Sequence, residues 1–166
     1  MIYPFFIAIL PGLTPGKAPE LTLEQFDELA VEQMGEKKAA QLADGMPFHA
    51  ELRRFENYLA YKTAMVRASR LNLNCRFEEP EEFYGEIDYA LSALSNAAPA
   101  EREVMLDALI WCKLDDLEIG HELDQCALAI YRMKLAMLQK YASRDAEAGL
   151  RNFENALEVL SADYLK

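Results

Sequence analysis

Apolar residues in the stretch Leu123–Tyr141 recur at Leu123, Cys126, Ala127, Ile130, Met133, Met137, Leu138 and Tyr141. That is the spacing of one face of a 3.6-residue helix. Leu128, Ala129, Tyr131, Leu135 and Ala136 carry the apolar surface around the other side, and a narrow polar line remains through Gln125, Arg132 and Gln139. A helix apolar over most of its circumference belongs inside a bundle, so this one is expected to be the post around which the others pack.

The same periodicity predicts the rest of the chain. The opening MIYPFFIAILPGL, bracketed by Pro4 and Pro11, is expected to be a short buried extended segment, and TPGKAPE a turn-rich connector. Thr22 with Gln25 forms a capping-box pattern, opening a helix with Leu23, Phe26, Leu29 and Ala30 inward and Gly35 at its end. A short piece over Glu36–Asp44 closes at Gly45, and Pro47 suits the first turn of a long helix from Phe48 to Asn74. Its inner side is read as Leu52, Phe55, Leu59, Thr63, Val66 and Leu73.

Pro80 is expected to start a helix burying Phe83, Ile87, Ala90, Leu91 and Leu94. After a turn at Ser95–Pro99, a helix follows through Val104, Leu106, Leu109, Ile110 and Leu117, interrupted at Gly120. Ser143 and Asp145 are expected to cap a last helix with Leu150, Phe153, Leu157 and Leu160 inward. Outside the opening there is no period-two alternation and no alignable repeat. The prediction is an all-α helical bundle of about six helices, forming a single domain over residues 1–166.

Composition narrows the function. The 166 residues carry a formal charge of −11, which argues against a general nucleic-acid binder and against docking on anionic lipid. The opening apolar run is too short to span a bilayer and lacks a basic leader and a cleavage site, so a cytoplasmic protein without direct membrane insertion is expected. Cys75, Cys112 and Cys126 form no CxxC pair and leave one unmatched; buried reduced thiols are the plain reading.

Charge is segregated. Between Glu51 and Phe77 six bases face two acids, Glu78–Asp88 holds six acids and no base, and Glu101–Asp124 holds eight acids against two bases. An acidic protein thus has one basic helix. That helix either completes ion pairs with acidic neighbours inside the fold, each worth about 0–1 kcal/mol when exposed, or meets an acidic partner. The residues for the partner surface are Arg53, Arg54, Lys62, Arg67 and Arg70.

Catalytic and metal motifs fail on their spacing. Glu118-Ile119-Gly120-His121 has the Glu-x-x-His pattern of di-iron bundles, but Met46 stands where His49 would need its glutamate. The helix beginning His121-Glu122 has Gln125 in place of the second zinc-protease histidine. The acids from Asp115 to Asp124 do not match a calcium loop, and no phosphate-binding glycine loop is present. Trp111 and Tyr131 are read as packing residues. No catalytic residue, cofactor or metal ligand is assigned.

Three stretches resemble a bacterial family found with V-type (archaeal-like) ATP synthases, whose members are regarded as standing in for the C subunit of the stalk. The first is Tyr3…Leu10-Pro11-Gly12-Leu13, followed by a helix with Glu24-Gln25-Phe26. The second is Phe55-Glu56…Leu59 with Arg67-Ala68…Leu71. The third is Trp111…Leu114-Asp115-Asp116-Leu117, Gly120-His121…Leu123-Asp124, Tyr131…Lys134-Leu135…Leu138, then Asp145…Gly149…Phe153-Glu154, with Tyr141 where the family pattern suggests Trp. The resemblance implies a non-enzymatic central-stalk spacer between a rotor ring and an axle. Its partners would be the axle and membrane-ring subunits, which would hold it peripherally at the membrane. A homo-oligomer of the isolated chain stays open, and the alternative is a helical adaptor or self-associating scaffold outside the motor.

Overall fold

The computed structural model describes residues 3–94, 97–143 and 151. The described elements are all helical: α1 (Tyr3–Ile9), α2 (Leu23–Met34), α3 (Glu36–Asp44), α4 (Phe48–Arg70), α5 (Gly85–Leu94), α6 (Pro99–Glu118) and α7 (Gln125–Ala142). The all-α bundle is as expected. The last helix predicted from Ser143 and Asp145, the Ser95–Asn96 part of the turn before α6, and the Asp145…Phe153-Glu154 part of the family pattern lie outside the described residues.

The start signals work as the sequence suggests. Thr22 accepts from Gln25 N at 3.2 Å while Gln25 Oε1 accepts from Thr22 N at 2.9 Å, so two donors left open at the start of α2 are satisfied reciprocally. Gly35, with φ +82°, turns the chain from α2 into α3, and Gly120, with φ +85°, breaks α6 from α7; L side chains rarely adopt that backbone.

The ends of α4 and α5 differ from expectation. α4 stops at Arg70 rather than continuing to Asn74. Asn72 has φ +51°, Leu73 N donates to Ala68 O at 2.9 Å and Asn72 N to Ser69 O at 3.2 Å. Those paired bonds are a Schellman closure, with asparagine taking the left-handed position usually given to glycine. Leu73, expected inward, is therefore exposed. α5 begins at Gly85, not Pro80. The residues before it act as a strap instead: Tyr84 packs edge-on to Phe55 and Tyr58, with ring centroids 5.2 and 5.6 Å apart. Phe83 stays 73% exposed rather than buried.

The opening is also a correction. It is a helix, α1, and not an extended segment. Phe6 is fully buried while Phe5 and Ile9 are exposed, so one helical face does the packing. Pro4 falls in the first turn, where its missing N–H has no helical partner to lose. Val104, expected inward on α6, is 55% exposed. α7 starts two residues later than the apolar pattern, leaving Leu123 outside it and exposed.

Among the described residues, two apolar cores share α4 and α6. The larger joins Phe6, Phe26, Ala30, Met34, Leu42 and the first half of α4 (Phe48, Leu52) to Leu114 on α6 and Leu128, Ala129, Ile130 and Leu135 on α7. The smaller holds Phe55, Tyr58 and Leu59 from the middle of α4 against Ile87 and Leu91 of α5, with Leu106 and Leu109 of α6 beside them. α7 packs on α1, α2, α3 and α6, whereas α5 packs on α4 and α6. α7 thus contributes Leu128, Ala129, Ile130 and Leu135 to the first core. The basic helix α4 connects that core to the second.

The polar line on α7 is a seam rather than a solvent face. Gln125 Nε2 donates to Lys38 O on α3 at 3.1 Å, and Arg132 clasps Asp27 on α2 with bonds of 2.7 and 2.8 Å. Gln139 Oε1 accepts from Leu23 N at the start of α2 at 2.8 Å. At intervals of seven residues, one polar side chain of α7 fixes a neighbouring helix.

Candidate partner-docking face

The five basic residues singled out on α4 separate into two groups. Arg53 pairs with Asp44 of α3 at 2.6 Å, Arg54 with Glu82 at 2.9 Å and Lys62 with Asp88 of α5 at 2.8 Å. Two of those acids belong to the Glu78–Asp88 run, so the basic helix lies against the most acidic stretch of its own chain. The intramolecular reading therefore accounts for Arg53, Arg54 and Lys62. At the far end of α4, Arg67 is exposed and forms no ion pair among the described residues. Arg70 is exposed one turn on. Both sit in the last turn, where the carbonyl end of the helix dipole favours positive charge.

Lys62 and Asp88 are tied further. Tyr58 Oη donates to Asp88 Oδ2 at 3.0 Å, and Lys62 Nζ stands 5.3 Å from the centre of the Tyr58 ring. The bond from Lys62 holds the Asp88 carboxyl below the ordinary carboxylate range against the effect of burial. The Asp88 bond raises the Lys62 ammonium, and burial followed by Asp88 pushes the Tyr58 phenol up. Beside this cluster, between the second half of α4 and α5, runs an open groove of about 510 Å³, with Met65, Val66 and Leu91 as its apolar floor and Lys62, Arg70 and Asp88 at its rim. Met65 is exposed, and Leu71 beyond the helix end is 68% exposed. Sequence reasoning names the arginines but misses this groove, because it depends on α5 starting at Gly85.

The described parts of the first and third stretches that carry the family resemblance come together in the first core, while Phe55 and Leu59 of the second lie in the smaller one. Tyr131 Oη donates to Pro11 O at 2.8 Å, and the Phe26 ring stacks between Phe6 (5.7 Å) and Tyr131 (5.5 Å). Burial, then Glu20, pushes the Tyr131 phenol up to about 12. At the α6–α7 corner Lys134, nearly buried, bonds Asp115 and Glu118 at 2.6 Å each and lies 5.7 Å over the Trp111 ring. Asp124 caps α7 by accepting from Cys126 N at 2.7 Å and bonds His121 Nδ1 at 2.7 Å. Tyr131 thus packs against the first core as the sequence suggests, whereas Trp111, half-buried, lines a cavity of about 380 Å³ with Pro15, Val104 and Met137; the polar members of the pattern build the hairpin.

The thiols correct another expectation: Cys75 and Cys112 are exposed, and only Cys126 is partly buried. No helix among the described residues is long and apolar enough to cross a membrane. Comparison with protein-family models, with curated proteins and with solved structures gives no match to this chain.

Proposed function

We propose that the chain is a non-catalytic helical component of a V-type or A-type rotary ATPase, a central-stalk spacer between rotor ring and axle that takes the place of the C subunit. In this reading the end of α4 around Arg67 and Arg70 meets an acidic partner surface. The rotary assignment rests on the family resemblance. The docking face is supported by one observation: Arg67 stands exposed without an ion pair among the described residues, on a protein of charge −11 in which Arg53, Arg54 and Lys62 pair with acids of the same chain. A local positive surface on an acidic body favours one orientation of an acidic partner and repels other approaches.

A stalk spacer must be stiff and must hold two neighbours. The polar seam of α7 and the two cores joined by α4 and α6 suit that demand. Charge reversal at Arg67 is the discriminating change, since it leaves the Arg53, Arg54 and Lys62 pairs intact. Arg67→Glu is expected to abolish co-assembly with the axle or ring at moderate salt while circular dichroism stays unchanged and the melting temperature falls only slightly, as an acid at the carbonyl end of a helix requires. Co-assembly at wild-type level would overturn this docking face.

The second reading, a self-associating scaffold, draws on Phe83 and Tyr89, which are 73% and 81% exposed. Sedimentation of the isolated chain separates the two. A dimer that Phe83→Ser dissolves, together with no co-assembly of the parent chain with axle or ring, would favour the scaffold.

A further inference from the structure

At the α6–α7 corner three different metal-binding donors converge: the His121 imidazole, the Asp124 carboxylate and the Cys126 thiol, all within 4.8 Å of one another. His121 is exposed and the other two are partly buried, so an ion has access from solvent. The arrangement follows from the turn. Gly120 reverses the chain with a positive φ, Asp124 starts α7, and Cys126 follows two residues into the helix. Asp124 divides its work: Oδ1 caps the Cys126 N–H, while Oδ2 is 2.7 Å from His121 Nδ1.

We infer that His121, Asp124 and Cys126 form a zinc site, with solvent completing a tetrahedral set. The donor chemistry selects the metal. A nitrogen, a carboxylate oxygen and a sulfur suit zinc, whereas calcium and magnesium take oxygen alone. Zinc bonds of about 2.0–2.3 Å place tetrahedral ligand atoms about 3.3–3.7 Å apart. His121 Nδ1 and Asp124 Oδ2 must therefore open slightly and the thiol must swing inward, both within side-chain rotation. Oδ1 can keep its capping bond throughout.

Zinc takes the place of the thiol proton, which leaves to solvent, and binding is accordingly tighter at higher pH. A bound ion would tie the start of α7 to the loop after α6, stiffening the hairpin that also carries the Lys134 ion pairs.

The test is metal titration of the whole chain after chelator treatment, by calorimetry with zinc and by absorption with cobalt. One zinc per chain is expected. Cobalt should give a thiolate charge-transfer band with the visible bands of four-coordination. Cys126→Ser should erase the charge-transfer band. His121→Ala, a change at an exposed position, should weaken zinc by about a hundredfold or more, since even outer partners of a metal site are worth about 10–100-fold. Absence of stoichiometric binding overturns the site. So does binding undiminished in either variant, which would mean an ion held loosely by the acidic surface.

Discussion

Lys134 on α7 places its Nζ 2.6 Å from Asp115 Oδ1 on α6, with only 10% of its side chain exposed. Glu118 takes a second bond from the same ammonium, and Trp111 lies beneath it. Burial pulls the ammonium down in pKa, but the bonds to Asp115 and Glu118 outweigh it and the net shift is upward. The lysine is held charged inside the hairpin. Lys134→Ala leaves a void against Trp111 and two acids that reach solvent, so a loss of about 1–3 kcal/mol is expected, below the 3–5 typical when a partner charge is left fully buried. Lys134→Met, which keeps the stem, should lose less. Urea denaturation of both variants measures the order, and equal losses would put the effect in the ion pairs alone.

Tyr131 gives a prediction at alkaline pH. Its phenol ionises near 10.0 when unfolded and is pushed up to about 12 in the fold. Folded pKa above unfolded means the contribution is complete below pH 10 and drains as pH rises toward 12. Tyr131→Phe should cost about 1 kcal/mol at pH 8 by orphaning Pro11 O. It should also flatten the stability loss between pH 10 and 12. Denaturation at pH 8 and pH 11 provides the comparison, and an unchanged alkaline slope would remove Tyr131 as its source.

Asp88 acts at the opposite end of the scale. Its folded carboxyl titrates below the usual 3.8, chiefly through Lys62. A depressed carboxylate contributes stability above its unfolded pKa and loses it as pH falls through the folded one. Acid unfolding of Asp88→Asn should therefore be shallower below pH 4 than in the parent, with lower stability at pH 7. An identical acid limb in both proteins would place the sensitivity elsewhere.

The end of α4 is only partly legible in the sequence. Apolar spacing finds the helix but runs it on to Asn74, because Leu71 and Leu73 continue the pattern; the left-handed turn at Asn72 is a local backbone event that periodicity does not report. Asn72→Val forces a β-branched side chain into φ +51° and should cost about 1–2 kcal/mol. Thermal melts check this, and a neutral effect would mean that the closure is not needed.

Elsewhere the legible parts are those set by neighbours in sequence. The Thr22–Gln25 capping box and the breaks at Gly35 and Gly120 are local signals. The all-α class follows from periodicity. Tertiary choices are not legible: that the Glu82–Tyr84 strap uses its side chains against α4 rather than entering α5, or that Lys134 is drawn inside by acids on another helix. Of the candidate site, the charges are visible but not their partners. Arg54 and Arg67 look alike in sequence, and only the position of Glu82 separates them.

The proposed docking joins the Arg67 end of α4 to a rotary ATPase. The most direct measurement is a tagged purification from the native cell in mild detergent at low salt, performed in parallel for the parent chain and Arg67→Glu, with every co-purifying protein identified. Low salt preserves charge-steered contacts, which screening over about 10 Å at 0.1 M weakens. The account predicts ATPase head, axle and membrane-ring subunits with the parent chain and their loss with the variant. Recovery of the parent chain alone, with the motor intact in a separate fraction, would contradict it.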